Sequence, residues 1–213
     1  MENASYAGIT RQQGLMAEMR TIANNIANAS TTGFKAEEVM FSEYIGLART
    51  GGPFDLAIEG DGFFLVETPN GERLTRAGSF TPNGDGDLVT MDGYPVLDAG
   101  GAPVFIPQDA GEIGIAPDGT ISAGGNPVGQ IGLVLPADPL KMTREGGTLF
   151  NPQGGFDAAT DGRMMQGFLE QSNVNPIIQI GRMIEVQRAY ELGQSFMEKE
   201  DERIRGVIQS LSR

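Results

Sequence analysis

The chain has 213 residues, 39% of them hydrophobic, enough for one large domain or two modest ones with a buried core. It contains neither cysteine nor histidine, so disulfide frameworks, thiolate metal sites, the usual zinc ligand sets and Ser-His-Asp or Cys-His nucleophiles are all excluded. The formal charge of −13 is concentrated in residues 51–167, which hold 16 acids and 5 bases; this favours solubility and argues against nucleic-acid binding, which needs a basic face.

Residues 51–167 also hold 24 of the 31 glycines and 11 of the 12 prolines, the residues that break helices and supply turns. Before them, residues 1–25 contain no uninterrupted apolar run, because Arg11, Glu18 and Arg20 break it up. Neither a cleavable signal peptide nor a membrane span is therefore expected. Residues 4–28 fit a helix: Ile9, Met16 and Ala23 recur every seven residues, with Gln12, Met19 and Ile26 three positions after each. Leu15 and Ile22 widen this seam on one side, so the helix has apolar surface for two neighbours. The pattern stops at Asn28. Ala29-Ser30-Thr31-Thr32-Gly33 then reads as helix termination, ending in a glycine able to turn left-handed.

The centre follows a hairpin pattern. Gly62 to Thr68 is bounded by Pro69-Asn70-Gly71 and followed by Glu72 to Arg76, with Asn-Gly as the hairpin signal, while Asp92-Gly93 separates Leu88-Val89-Thr90-Met91 from Tyr94-Pro95-Val96-Leu97. Asp118-Gly119 separates two more short runs, and residues 130–135 add another. This spacing predicts an antiparallel sandwich or open barrel. After Pro176 the helical signal returns: Met183, Tyr190, Met197, Ile204 and Leu211 hold an unbroken heptad line. Its companion line has Ile180 and Val186 early and Val207 and Ile208 late, with Gln187, Gly193, Gln194, Glu200 and Asp201 between. A self-sufficient two-stranded coil would be apolar there. The expected fold class is α+β with a mainly β centre, the two terminal helices pairing as a coiled-coil-like core.

Apparent chemical motifs dissolve on inspection. Gly60-Asp61-Gly62 lacks the third glycine of a dinucleotide loop, since Leu65 stands there. Asn83-Gly84-Asp85-Gly86-Asp87 begins like a calcium loop, but Leu88 and Tyr94 occupy positions that need glycine and glutamate. Asn28-Ala29-Ser30 matches a glycosylation acceptor at a helix end, where it reads as part of the terminator. Met16, Met19, Met183 and Met197 read as seam packing rather than metal ligands. No cofactor is expected. A catalytic carboxylate pair has only coincidence in its favour among so many acids.

Three segments together resemble the bacterial flagellar rod and hook family. They are Ala23-Asn24-Asn25-Ile26-Ala27-Asn28-Ala29-Ser30-Thr31-Thr32-Gly33-Phe34-Lys35; the run from Gly60-Asp61-Gly62-Phe63-Phe64 through Leu74-Thr75-Arg76-Ala77-Gly78-Ser79-Phe80 to Gly93-Tyr94-Pro95-Val96-Leu97; and Ser172-Asn173-Val174-Asn175 followed by Met183-Ile184-Glu185-Val186-Gln187-Arg188-Ala189-Tyr190-Glu191. They occur in family order and touch both ends and the middle. Short length and the opening Met1-Glu2-Asn3-Ala4-Ser5-Tyr6-Ala7-Gly8-Ile9 look most like the proximal-rod subunit, with the distal-rod subunit as nearest competitor.

The resemblance implies a non-enzymatic subunit of a tubular shaft, exported through the flagellum's own channel and assembled in the periplasm. It implies a discontinuous core from residues 1–30 and 168–213, a connector over 31–60 and an outer β domain over 61–167. Its partners would be copies of itself, other proximal and distal rod subunits, the export apparatus and the surrounding basal-body rings. The expected assembly residues are Ile9, Met16, Met19, Ile22, Ala23 and Ile26 on the first helix, and Ile180, Met183, Val186, Tyr190, Met197, Ile204, Val207, Ile208 and Leu211 on the last. The polar signature residues are Asn24, Asn25, Asn28, Asn173, Asn175, Gln187 and Arg188. A rival reading is a secreted β-rich binding module, for instance for a glycan, carried on a helical hairpin.

Overall fold

The computed structural model describes residues 2–36 and 46–211, with side chains from 8–36 and 46–209. The chain forms two compact units, Met1–Ala29 with Val174–Arg213, and Ser30–Asn173.

The first unit consists of two helices, α1 (Glu2–Ala27) and α2 (Pro176–Leu211). Pro176 occupies the first helical position of α2, where a missing N–H costs nothing. Asn175 caps it, its Oδ1 accepting the N–H groups of Ile177 at 3.1 Å and Ile178 at 3.3 Å. At 36 residues α2 is about 54 Å long. The helices run antiparallel: Gly8 lies beside the Met197 thioether, Gly193 beside Gln12, and Arg182 pairs with Glu18 at 2.9 Å.

The second unit is mostly β, and its seven-stranded antiparallel sheet forms a half-barrel. Strand Phe63–Thr68 lies at its middle. One edge of that strand pairs with Gly71–Thr75, beyond which lie Leu149–Pro152 and Met142–Arg144. The other edge is shared: Leu133–Pro136 pairs with Phe63 and Phe64, Val96–Leu97 pairs with Leu65 and Val66, and Phe156–Ala158 lies outside Leu133–Pro136. Because alternate side chains point to opposite faces, Phe64 and Val66 enter the larger core with Leu56, Ile58, Leu88 and Ile131, while Leu65 enters a second core with Leu74, Leu97, Val134 and Phe150. Both faces are buried, which is why this strand reads as a continuous apolar run.

Two of the three turn readings change in detail. Thr68 pairs with Gly71, so the first loop is Pro69-Asn70, and Gly71 takes φ 96° as a strand residue. Proline at the first loop position enforces an ordinary turn in place of the mirror-image type that Asn-Gly favours. The Asp92-Gly93 turn closes with Gly93 N–H to Thr90 O at 2.9 Å, but its two arms join different sheets: Leu88–Thr90 pairs with Phe80–Pro82, and Val96–Leu97 with the central strand. Asp118-Gly119 joins a true hairpin, Ile113–Ile115 with Thr120–Ala123, to which Asn126–Gln130 adds a third strand. Within residues 31–60, Leu47–Arg49 and Leu56–Glu59 are strands, paired with Phe168–Glu170 and Arg163–Gln166. Residues 168–173 therefore belong to the β unit, and residues 37–45 of the expected connector lie outside the described residues.

Candidate functional site

Each terminal helix has two apolar faces. On α2, Met183, Tyr190, Met197 and Ile204 are half-buried and Val186 is buried, with Gly193 and Glu200 completing the same face. On α1 the matching positions are Gly8, Gln12, Leu15, Met19 and Ile26, all half-buried, and Ile22, which is buried. The expected line of Ile9, Met16 and Ala23 is exposed, one position round the helix from the one α2 meets. On α2, Ile180, Val207 and Ile208 are exposed, as are Ile177 (80%), Ile184, Leu192 (72%) and Phe196. At 100° per residue, Ile177, Ile180, Ile184, Leu192 and Phe196 fall on the side turned away from Val186, Tyr190 and Met197. The side chain of Leu211 lies outside the described residues.

The signature polar residues have separate tasks. Asn28 closes the last turn of α1, its Nδ2 donating to Asn24 O at 2.9 Å and Asn24 Oδ1 at 3.0 Å. Asn25 is 1% exposed. Asn175 caps α2, Gln187 donates to Glu191 one turn on at 3.1 Å, and Arg188 is exposed. Asn173 belongs to the β unit, where its Oδ1 accepts Ala36 N–H at 2.7 Å.

Asn173 is part of a clamp joining the two ends of the β unit. Gly33 N–H donates to Glu170 O at 2.7 Å, and Lys35 pairs with the Glu170 carboxylate, whose side chain is fully buried. Arg76 donates to the other carboxylate oxygen at 2.8 Å, to Gly62 O at 2.7 Å and to Gly60 O at 3.0 Å. Arg144 donates to Lys35 O and stacks its guanidinium between the rings of Phe34 (4.2 Å) and Phe150 (4.8 Å). Gly33 has φ 69°, as expected of the terminator, and a Cβ there would collide with the Ala77 backbone. The sequence signal for this clamp was only that Gly33-Phe34-Lys35 continues the helix signature.

Among the described residues no group of acids is placed to hold a metal. The calcium-like stretch is a closed turn, Asn83 Oδ1 accepting the N–H groups of Asp85 and Asp87 at 2.9 Å. The β unit has a cleft of about 1000 Å³ with Arg49, Phe54, Asn83, Glu112, Gln166 and Phe168 in its walls. The Gln166 amide is occupied there by Pro53 O, Ile113 O and Ile115 N–H. No described helix is long and apolar enough to cross a membrane.

Family comparison places these features. Residues 6–35 match the flagella basal body rod protein family, residues 57–123 the flagellar hook protein FlgE/F/G D1 domain, and residues 165–210 the flagellar basal body rod FlgEFG protein C-terminal family. The chain is 40% identical to the flagellar basal-body rod protein FlgF of Caulobacter vibrioides, covering 100% of this chain and 99% of that one. The chain belongs to the flagellar basal-body rod protein family. It is also 35% identical to the FlgF of Rhizobium meliloti, over 99% of this chain and 98% of the relative, and 32% identical to the flagellar basal-body rod protein FlgG of Bacillus subtilis, over 98% of each. The two rod-family terminal matches cover most of α1 with the Gly33-Phe34-Lys35 clamp segment, and nearly all of α2. The D1 match covers the central strand and the hairpin at Asp118-Gly119.

Proposed function

We propose that this rod-family chain is a structural subunit of the proximal rod, with no catalytic role. It polymerises through its terminal helices into a tube that transmits torque and encloses the export channel. The observation that carries this reading is the second apolar face on each helix. One face of α2 packs on α1, and the bare one presents Ile177, Ile184, Leu192 and Phe196, while Ile9 and Met16 stand bare on α1. Each large apolar side chain stabilises a contact by roughly 1.5–3 kcal/mol when fully buried. A heterologous contact that does not close into a ring generates a helical tube, so one surface match serves every neighbour.

On this reading Met1–Ala29 and Val174–Arg213 make the core, as a coiled-coil-like pair, and the acidic β region is its outer cover. Ile9, Met16, Ala23, Ile180, Val207 and Ile208 meet neighbouring subunits, while Met183, Val186, Tyr190, Met197 and Ile204 hold the pair together. The subunit assembles in the periplasm after export without a cleaved signal peptide, next to other rod subunits and within the basal-body rings. Met183→Asp or Tyr190→Asp should abolish incorporation into basal bodies while the β unit keeps its unfolding transition. Normal motility and incorporation in those variants would overturn the reading. The FlgG relative supports a second placement, the distal rod, and cryo-electron microscopy of basal bodies carrying a tagged subunit separates the two by axial position.

A further inference from the structure

The most exposed large apolar side chain among the described residues is Leu140, with 86% of its surface in water. It nevertheless stands on a tightly held turn. Pro139–Lys141 is a single 3-10 turn capped by Asp138. The Asp138 Oδ1 accepts the Leu140 N–H at 3.1 Å, its backbone O accepts the Lys141 N–H at 3.1 Å, and its Oδ2 lies 3.2 Å from Lys141 Nζ. Pro139 restricts the backbone further by fixing its own φ. A leucine in water contributes nothing to the fold of its own unit. Held this way it loses little freedom on entering a partner, which is the condition under which an apolar anchor contributes most to a contact.

The cleft of the β unit offers a matching recess. Phe54, Pro107, Ile113 and Phe168 are half-buried along its walls. Arg49 and Glu112 stand exposed in the same walls, and neither has an ion-pair partner among the described residues. Leu140 is likewise flanked by one acid and one base, Asp138 and Lys141. Two acidic units repel each other, so a contact between them needs their bases at the interface. Exposed bases are scarce here: among the described residues of the β unit they are Arg49, Lys141 and Arg163. Two of the three therefore belong to the cleft and to the turn. The turn shares no residue with the cleft, and Leu140 is in water, so the leucine does not fill the cleft of its own chain.

We propose that the Pro139–Lys141 turn of one subunit docks in the cleft of a second copy, with Leu140 against the apolar walls, Lys141 facing Glu112 and Asp138 facing Arg49. The occupant is another copy of this chain because each copy carries both halves of the match. The two halves are different surfaces, so the contact is heterologous, and each docked pair still presents a free turn and a free cleft. This links β units to one another and is independent of the helix-borne contacts proposed above.

The chain has three lysines, Lys35, Lys141 and Lys199, which makes zero-length carbodiimide coupling of lysine to carboxylate simple to map. The sample is an equal mixture of isotope-labelled and unlabelled full chain, at roughly 1 mM so that even a contact with a dissociation constant of that size is substantially formed. It should yield mixed-isotope peptides joining Lys141 to Glu112. Leu140→Asp should lower their yield about tenfold or more, as loss of an anchor side chain does, while the melting temperature stays unchanged; Leu140→Met should retain them. Coupling of Lys141 only to Asp138 of its own chain would overturn the proposal. So would coupling to acids outside the cleft of another copy, or a Lys141–Glu112 yield that Leu140→Asp leaves unchanged. The readout is coupling between purified subunits, so its failure is separate from any failure of incorporation through the helices.

Discussion

Arg76 and Glu170 are 4% and 1% exposed, and a buried ion pair is more informative about what happens when it is broken than about what it contributes intact. Removing one partner leaves a buried charge, at about 3–5 kcal/mol. Arg76→Met should therefore lower the unfolding free energy of the β unit by roughly that amount in chemical denaturation, whereas Arg188→Met, on an exposed helical surface, should change it by less than about 0.5 kcal/mol. Glu145 offers a test by titration. Its hydrogen bond and ion pair with Arg73 hold its carboxyl below the ordinary value of 4.5. A group depressed in the folded state contributes stability that is present above its unfolded pKa and lost as pH falls through the folded one. Carboxyl NMR should place the Glu145 midpoint below that of an exposed glutamate, and Arg73→Gln should return it upward. None of these pairs was legible beforehand: Arg76 and Glu170 are 94 positions apart and carry no local pattern.

At the scale of elements, periodicity located both helices, while the choice of inward face escaped it. The first helix has apolar residues on two adjacent lines, and sequence alone gives no reason to prefer Ile9–Met16–Ala23 over Gly8–Leu15–Ile22; the partner decides. Glycine at position 8 is what brings Met197 close, its Sδ lying 3.4 Å from where a Cβ would stand. Turn residues likewise marked Asn70-Gly71, Asp92-Gly93 and Asp118-Gly119 without saying which strands would pair, because pairing depends on long-range register. The cap of α2 can be tested alone. Asn175→Ala removes the acceptor for two N–H groups and should cost about 1 kcal/mol, read as a drop in the melting temperature of the helical signal, with proteolysis beginning near Pro176. Asn175→Asp should largely preserve the cap.

For the molecule as a whole, the two faces of α2 make separable demands. Ile184→Asp and Leu192→Asp alter side chains that are already in water, so the free subunit should keep its circular dichroism and melting temperature. Incorporation into basal bodies should nevertheless fall at least tenfold by quantitative immunoblot; unchanged incorporation would remove the bare face from the assembly model. The candidate site was thus readable as a set of apolar positions, but its division into inner and outer faces required the fold. One feature of the β unit bears on the chain before it folds. The central strand is apolar on both faces, so in an extended chain Phe63 to Val66 is the stretch most able to pair with another copy of itself. Exposed acids bracket it, with Glu59 and Asp61 before and Glu67 and Glu72 after, and the last two stand directly opposite each other in the finished hairpin. Like charges facing across a ladder weaken it slightly. The same repulsion recurs at every contact between two unfolded copies, so this small loss in the native hairpin guards the chain against aggregation while its core run is still uncovered.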